Sequence, residues 1–275
     1  MKIALSQIST PAASFGEDVA AYRAAGFDGL GIWEFKLPAG DDAANARLLL
    51  ESGLGTAYCV PEIPSLLQLT LPGMEGPADP AERIEALCAS MHRLARFEPA
   101  CVLCLTGPTG ERSEDEARAI VSEGLRQIAA AARAAGVRLG LEPTHLSESG
   151  VTSFLSTIGE TIALLDEAGL DDVGVMVDTV HVWDTHELEA DVARHASRAT
   201  GLHAADKRAA ADPSRVLPGE GITHPEHLVG LMRAAGFDGY LDIEIFSTPD
   251  AFWGLPVEEA ARRAAAAARS LIAQS

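Results

Sequence analysis

No apolar run in this chain approaches the roughly 20 residues that a membrane-spanning helix needs. Met1-Lys2-Ile3-Ala4-Leu5 leads straight into a strand-like segment with no signal-peptide core. These two absences predict a cytoplasmic protein with no membrane partner. Cysteine is scarce: Cys59, Cys88, Cys101 and Cys104 are too few for a disulfide scaffold, and the Cys101-Val-Leu-Cys104 spacing falls inside an apolar segment. Buried thiols are expected there rather than a redox or zinc pair. Positive charge is also short, with 21 Lys and Arg against 40 Asp and Glu, a net charge of -19, and no local basic patch. That balance repels a phosphate backbone, so no nucleic-acid partner is expected. The chain has no glycine-rich dinucleotide fingerprint and no phosphate-cradling P-loop, so no nucleotide cofactor is indicated.

What is present is an alternation. Hydrophobic residues make up 47% and charged residues 22%, as in ordinary globular proteins. Strand patterns fall at 2–8, 28–33, 55–60, 100–105, 137–142, 173–178, 200–204 and 240–245. Helical patterns fall between them at 15–25, 41–52, 81–97, 113–135, 153–168, 188–198, 224–235 and 256–273, with Asp41 placed to cap the second and Ser113 with Glu116 forming a capping box on the fourth. The Pro- and Gly-rich stretch 61–80 is the longest loop and a candidate lid. Eight near-equal strand-helix units without a composition break predict a single α/β domain over residues 1–275, a closed (β/α)₈ TIM barrel in preference to an open sheet. The near-identical Ala24-Ala-Gly-Phe-Asp-Gly29 and Ala234-Ala-Gly-Phe-Asp-Gly239 fit a repeated unit.

The strand ends carry the chemistry. Gly174-Val-Met-Val-Asp178 is an apolar run closed by a carboxylate, with His181 and Trp183 following within five residues. An isolated Asp there is more often a helix cap. Three further strands also end in polar residues, at Glu142, His203 and Glu244. In a barrel these ends meet at one mouth. Three carboxylates confined together raise at least one pKa unless a cation neutralises them. One divalent metal ion held by Glu142, Asp178, His203 and Glu244 is the expectation, and oxygen donors with one imidazole suit Mn²⁺, Mg²⁺ or Co²⁺ at least as well as Zn²⁺.

The motifs Leu141-Glu-Pro-Thr-His145, Val177-Asp-Thr-Val-His-Val-Trp183, Leu202-His-Ala-Ala-Asp206, Arg215-Val-Leu-Pro-Gly-Glu-Gly221 and Asp242-Ile-Glu-Ile-Phe246 resemble the xylose-isomerase-like TIM barrels. That family contains sugar phosphate isomerases/epimerases, ketose 3-epimerases, inosose dehydratases and endonuclease IV. The resemblance covers almost the whole chain. It implies that Glu142, Asp178, His203 and Glu244 bind one metal, and that His181 and Arg215 contact substrate oxygens. Glu148 falls where ketose epimerases carry a further substrate-contacting carboxylate, with His145 standing where Asn is often found. Endonuclease IV needs extra histidines after strands two and three and an Asp-x-His near strand seven. Here those places read Trp33-Glu34, Val60-Pro61 and Arg215-Val-Leu217.

A metal that chelates a sugar carbonyl and its neighbouring hydroxyl acidifies the adjacent C–H, so Glu142 and Glu244 are the candidate acid-base pair. Proton return to the neighbouring carbon gives an isomerase, and return to the opposite face gives an epimerase, both through an enediolate. Loss of a β leaving group gives a lyase or dehydratase, and the ligands do not choose among the three. A binding protein without catalysis is a further alternative. The expected substrate is a sugar or related keto-polyol, and a homo-oligomer is left open. Trp33, Trp183, Trp253 and Phe252 lie near strand ends, where aromatic faces either line a sugar site or pack the mouth. Glu34 and Lys36 are candidate polar contacts, and Asp206 is the expected partner orienting His203.

Overall fold

Eight parallel strands close into one barrel in the computed structural model, which describes residues 1–275. In chain order they are β1 (Lys2–Ser6), β2 (Gly29–Trp33), β3 (Gly55–Val60), β4 (Cys101–Cys104), β5 (Leu139–Leu141), β6 (Gly174–Asp178), β7 (Ala199–Ala204) and β8 (Tyr240–Ile243). Almost every strand residue is buried, because the helices cover the outer face and side chains fill the inner one. The covering helices are α1 (Phe15–Ala25), α2 (Asp42–Ser52), α3 (Pro80–Leu94), α4 (Glu114–Ala135), α5 (Ile158–Glu167), a single turn α6 (Thr179–Val182), α7 (Leu188–His195), α8 (Pro225–Ala234) and α9 (Val257–Gln274). The architecture is a single (β/α)₈ TIM barrel. No helix is long and apolar enough to cross a membrane.

Local chemistry sets most boundaries. Ser113 and Glu116 form the expected capping box on α4, and Thr157 with Glu160 forms another on α5. That second box moves the start of α5 from the expected Ser153 to Ile158. Ser153 is buried and bonds to Thr106 Oγ1 at 2.9 Å, holding the preceding residues off the helix. Asp41 does not cap α2 with its side chain. The neighbouring Asp42 instead accepts from Arg93 Nη2 at 2.9 Å. The two Ala-Ala-Gly-Phe-Asp-Gly segments end α1 and α8 alike: Gly26 and Gly236 are left-handed, and Phe27 and Phe237 donate back to Tyr22 and Met232. Cys59, Cys101 and Cys104 are buried free thiols, and Cys88 is half-buried and free.

Two apolar clusters result. A large one lies between strands and helices, and a smaller one fills the barrel with residues that include Ala57, Tyr58, Leu103 and Met176. The Tyr58 hydroxyl crosses the interior, donating to the Tyr240 carbonyl at 2.5 Å and accepting from the Leu202 amide at 3.0 Å. This plug forms the floor on which the His203 ring rests edge-on, 5.5 Å away. The 61–79 loop is tied down rather than free. The buried Arg83 guanidinium donates to the carbonyls of Ser65, Glu75 and Pro77 at 2.6–2.8 Å and to Ser65 Oγ at 2.5 Å. With no acid beside it, burial lowers the Arg83 pKa to about 10.

Candidate functional site

Parallel register builds the site at the C-terminal mouth. Asp178 on β6 pairs in register with His203 on β7, and His203 with Asp242 on β8, so all three side chains share one level inside the barrel. Glu244 lies two residues beyond Asp242, on the same face and nearer the mouth, with its amide donating to the Ala204 carbonyl at 3.1 Å. Glu142 follows β5, its amide bound to the Cys104 carbonyl at 3.0 Å. Glu142 Oε1 is 3.4 Å from His203 Nδ1, and Glu244 Oε2 is 3.6 Å from the same nitrogen. The Arg215 Nη1 donates to Asp178 Oδ2 at 2.9 Å and to Glu244 Oε2 at 2.7 Å. His181 takes the His145 amide on Nδ1 at 3.2 Å and sets Nε2 3.1 Å from Arg215 Nη2. Asp178 also caps α6, its Oδ1 accepting from the Val180 amide at 3.0 Å, so cap and site residue are the same carboxylate.

The electrostatics call for positive charge. Burial would lower the His203 pKa, but Glu244, Glu142 and Asp242 together outweigh it and raise it to about 10. Burial raises Glu142. Burial also acts to raise Asp178, yet Arg215, His181 and His203 overcome it and leave that carboxyl below its ordinary value. Asp242, fully buried with neither oxygen hydrogen-bonded, is raised to about 8 by burial. Its Oδ2 lies 3.7 Å from His203 Nε2, and a Cβ on Gly31 would stand 2.2 Å from it, so β2 needs glycine there.

The donor set fits a divalent ion. Ligand atoms of Glu142, Asp178 and His203 lie within 4.8 Å of one another. Glu142 Oε1 and His203 Nδ1 are buried without hydrogen-bond partners. Two carboxylates and an imidazole with no thiolate suit a hard or borderline divalent ion. Glu244 stands at the edge of this group with Oε2 held by Arg215. An ion on His203 must displace that ring's proton. The sign follows: metal affinity should climb with pH across the neutral range and level off near pH 10, the shifted His203 value. Calorimetry in buffers of different ionisation enthalpy should find about one proton released per ion bound. An affinity independent of pH below about 10 contradicts the assignment. The same shift makes the His203 contribution to metal-free stability full below about pH 6.5 and lost as pH rises through about 10.

A cavity of about 460 Å³ opens above these groups, lined by Trp33, Glu142, Glu148, His181, Arg215 and Glu244 among others. Several anticipated residues lie elsewhere. Trp183 stacks on His145 at 6.4 Å, and neither lines the cavity. His145 Nε2 is engaged by Asp184 at 3.0 Å and its Nδ1 by Ser147. Trp253 also lies outside, its indole donating to the Ile245 carbonyl at 2.8 Å. Asp206 does not orient His203. Both its oxygens accept from the 216–223 loop, from the amides of Gly219, Gly221 and Thr223 at 2.9–3.2 Å. The carboxylate on the Nε2 side of His203 is Asp242, and Glu142 and Glu244 lie on the Nδ1 side. Glu34 and Lys36 also turn away, Glu34 to Ser90 and the Glu62 amide, Lys36 to Asp18 at 2.6 Å. In their place the cavity gains Thr144, Ser147, Phe246 and Lys207, whose buried ammonium lies 3.9 Å from Glu148 Oε1. Lys207 follows Asp206 just past β7, and its position beyond a strand end was the available signal.

The fold is shared with known structures. Protein SMc04130 from Sinorhizobium meliloti 1021 superposes with a TM-score of 0.85 at 23% identity, covering 98% of each chain. A structure of the IolI protein with a bound zinc atom gives 0.81 at 16% identity, covering 100% of this chain and 99% of that one. The 3-keto-D-glucoside 4-epimerase YcjR from E. coli gives 0.76 at 18% identity over 99% of both. No curated protein matches the chain by sequence. The family model for the xylose isomerase-like TIM barrel matches residues 19–271, nearly the full length, and the chain belongs to that family.

Proposed function

We propose that the protein is a divalent-metal-dependent isomerase or epimerase of a sugar or related keto-polyol, working by proton abstraction next to a carbonyl. The observation that carries this reading is the approach of Glu142 and Glu244, from β5 and β8, to one histidine nitrogen above buried Asp178. Two carboxylates from separate strands can reach a substrate from two sides. The likeness to a zinc-bound barrel and to a keto-glucoside epimerase supports it. The ion, when bound, polarises the substrate carbonyl and acidifies the adjacent C–H. Arg215 and His181 donate to substrate oxygens at the cavity floor. One glutamate takes the proton as the C–H electron pair moves into an enediolate, and a proton returns from the other glutamate or at the neighbouring carbon. Glu148 and Lys207 meet hydroxyls farther up the cavity.

The test is turnover of 3-keto-sugars and ketoses in D₂O by Mn²⁺-loaded protein. Deuterium should appear at the carbon next to the carbonyl, vanish with a chelator and return with Mn²⁺. Absence of deuterium from every such substrate sinks the reading, and an eliminated product in place of an epimer or isomer assigns the lyase outcome.

A further inference from the structure

The cavity has two chemically different halves, and the division follows the barrel. The strands β5 to β8 and their loops supply every charged group in it, Glu142, Glu148, His181, Lys207, Arg215 and Glu244 among them. The strands β2 to β4 with the 61–79 loop supply eight lining residues, and apart from one indole nitrogen their side chains are hydrocarbon or thioether, such as Val60, Leu69, Leu71, Met74, Leu103 and Leu105. That one exception is already used, since the Trp33 indole donates to Ser6 Oγ at 2.9 Å.

Backbone amides along this wall are bonded already, Trp33 to Gln7 Oε1 at 3.2 Å and Met74 to the Leu71 carbonyl at 3.0 Å. The Leu105 amide donates to the Pro64 carbonyl at 2.7 Å, Leu66 to Leu105 at 3.1 Å, and Leu67 to Thr106 at 2.8 Å. These pairs knit the loop to β4 and leave few amides for a ligand. An unsubstituted ketose carries a polar group on every carbon. Hydroxyls turned toward this half would lose water and find no side-chain partner. A hydrocarbon surface placed there would be buried at no such cost.

We infer that the substrate is a keto-polyol bearing an apolar substituent, aryl or alkyl, which lies against β2 to β4 while the polyol faces β5 to β8. This rests on the proposed reaction for the polyol half and on the cavity wall alone for the substituent. Free ketoses are then poor substrates.

The probes are methyl and phenyl β-D-glucopyranoside, titrated calorimetrically into the Mn²⁺-loaded protein, and their 3-keto derivatives, followed by deuterium exchange. The phenyl compound should bind at least about tenfold more tightly, the lower range for a small apolar increment in a hydrophobic pocket. Its keto derivative should show a similar gain in kcat/KM. Leu105→Asn should remove the difference, by weakening the phenyl compound more than the methyl one. Leu71→Asn, at a half-buried rim position, serves the same purpose where the first variant fails to fold. A phenyl compound binding no more tightly than the methyl one overturns the inference, as does a preference that survives both variants. Phenyl-selective binding without any exchange upholds it and refutes the proposed reaction, whereas exchange without selectivity does the reverse.

Discussion

The Glu142→Gln and Glu244→Gln proteins, each loaded with Mn²⁺, are expected to turn over about 10²–10⁴-fold more slowly than the parent, the range for removing a positioned general base or acid. Glutamine keeps one oxygen near His203 Nδ1 and the volume of the side chain, so the loss reports proton transfer more than collapse of the site. The two variants should also differ in an informative way. If the reaction is an epimerisation with a carboxylate on each face, interconversion stops in both. Exchange of the α-proton with D₂O then persists in each variant for the one epimer whose C–H faces the remaining glutamate. If it is an isomerisation using one base, a single variant loses exchange altogether. Alanine at either position goes further and should cost metal retention as well as turnover. Full activity in metal-free Glu244→Ala protein contradicts the mechanism.

These residues could be found from sequence because of how a parallel barrel is built. Its strands are buried on both faces, so they read as apolar runs, and the first polar residue that closes a run stands at the mouth. Glu142, Asp178 and Glu244 have that position, and His203 is conspicuous as an imidazole inside Leu202-His-Ala204. Asp242 was hidden by the same logic. It sits between Leu241 and Ile243 and looks like part of the run whose end is Glu244, and only the pairing of β7 with β8 sets it beside His203. Position past a strand also says nothing of side-chain direction. Trp183, His145 and Trp253 lie near strand ends yet point out of the cavity, because loop contacts with Asp184 and the Ile245 carbonyl set their orientation. The apolar half of the cavity was illegible for a simpler reason. Leu69, Leu103 and Leu105 are the residues any core would contain, and a cavity wall differs from a core only in what is absent from one side of it.

Removing Arg215 should be the most damaging change to the metal-free protein. Its guanidinium is the cation shared by Asp178 and Glu244, buried at 8% exposure and stacked 4.8 Å from the Phe246 ring. Replacing a whole buried ion pair with apolar groups is often harmless, but taking one partner away strands the charge of the other. Arg215→Met preserves much of the packing and strands two carboxylates beside a third, Glu142. The expected loss is about 3–5 kcal/mol in urea unfolding with chelator present. The pH dependence has a definite sign. Without Arg215, burial of Asp178 is opposed by the two histidines and the Val180 amide alone, so its carboxyl should move up from the lowered value it has in the parent. In the parent the lowered Asp178 carboxyl contributes stability that is full above its ordinary value of 3.8 and lost as pH falls through its folded value, so the deficit of the variant should be largest above about pH 4 and shrink below it. Mn²⁺ supplies positive charge to the same carboxylates and should bind the variant, which lacks the competing guanidinium, more tightly, so at one ion concentration each tenfold difference in Kd stabilises the variant by about 1.4 kcal/mol more than the parent. The gap between variant and parent should therefore narrow when the ion replaces the chelator. Equal stability of the two proteins in chelator would show that Arg215 does not neutralise the cluster, and an undiminished gap in Mn²⁺ would show that the ion does not compete with Arg215 for these carboxylates.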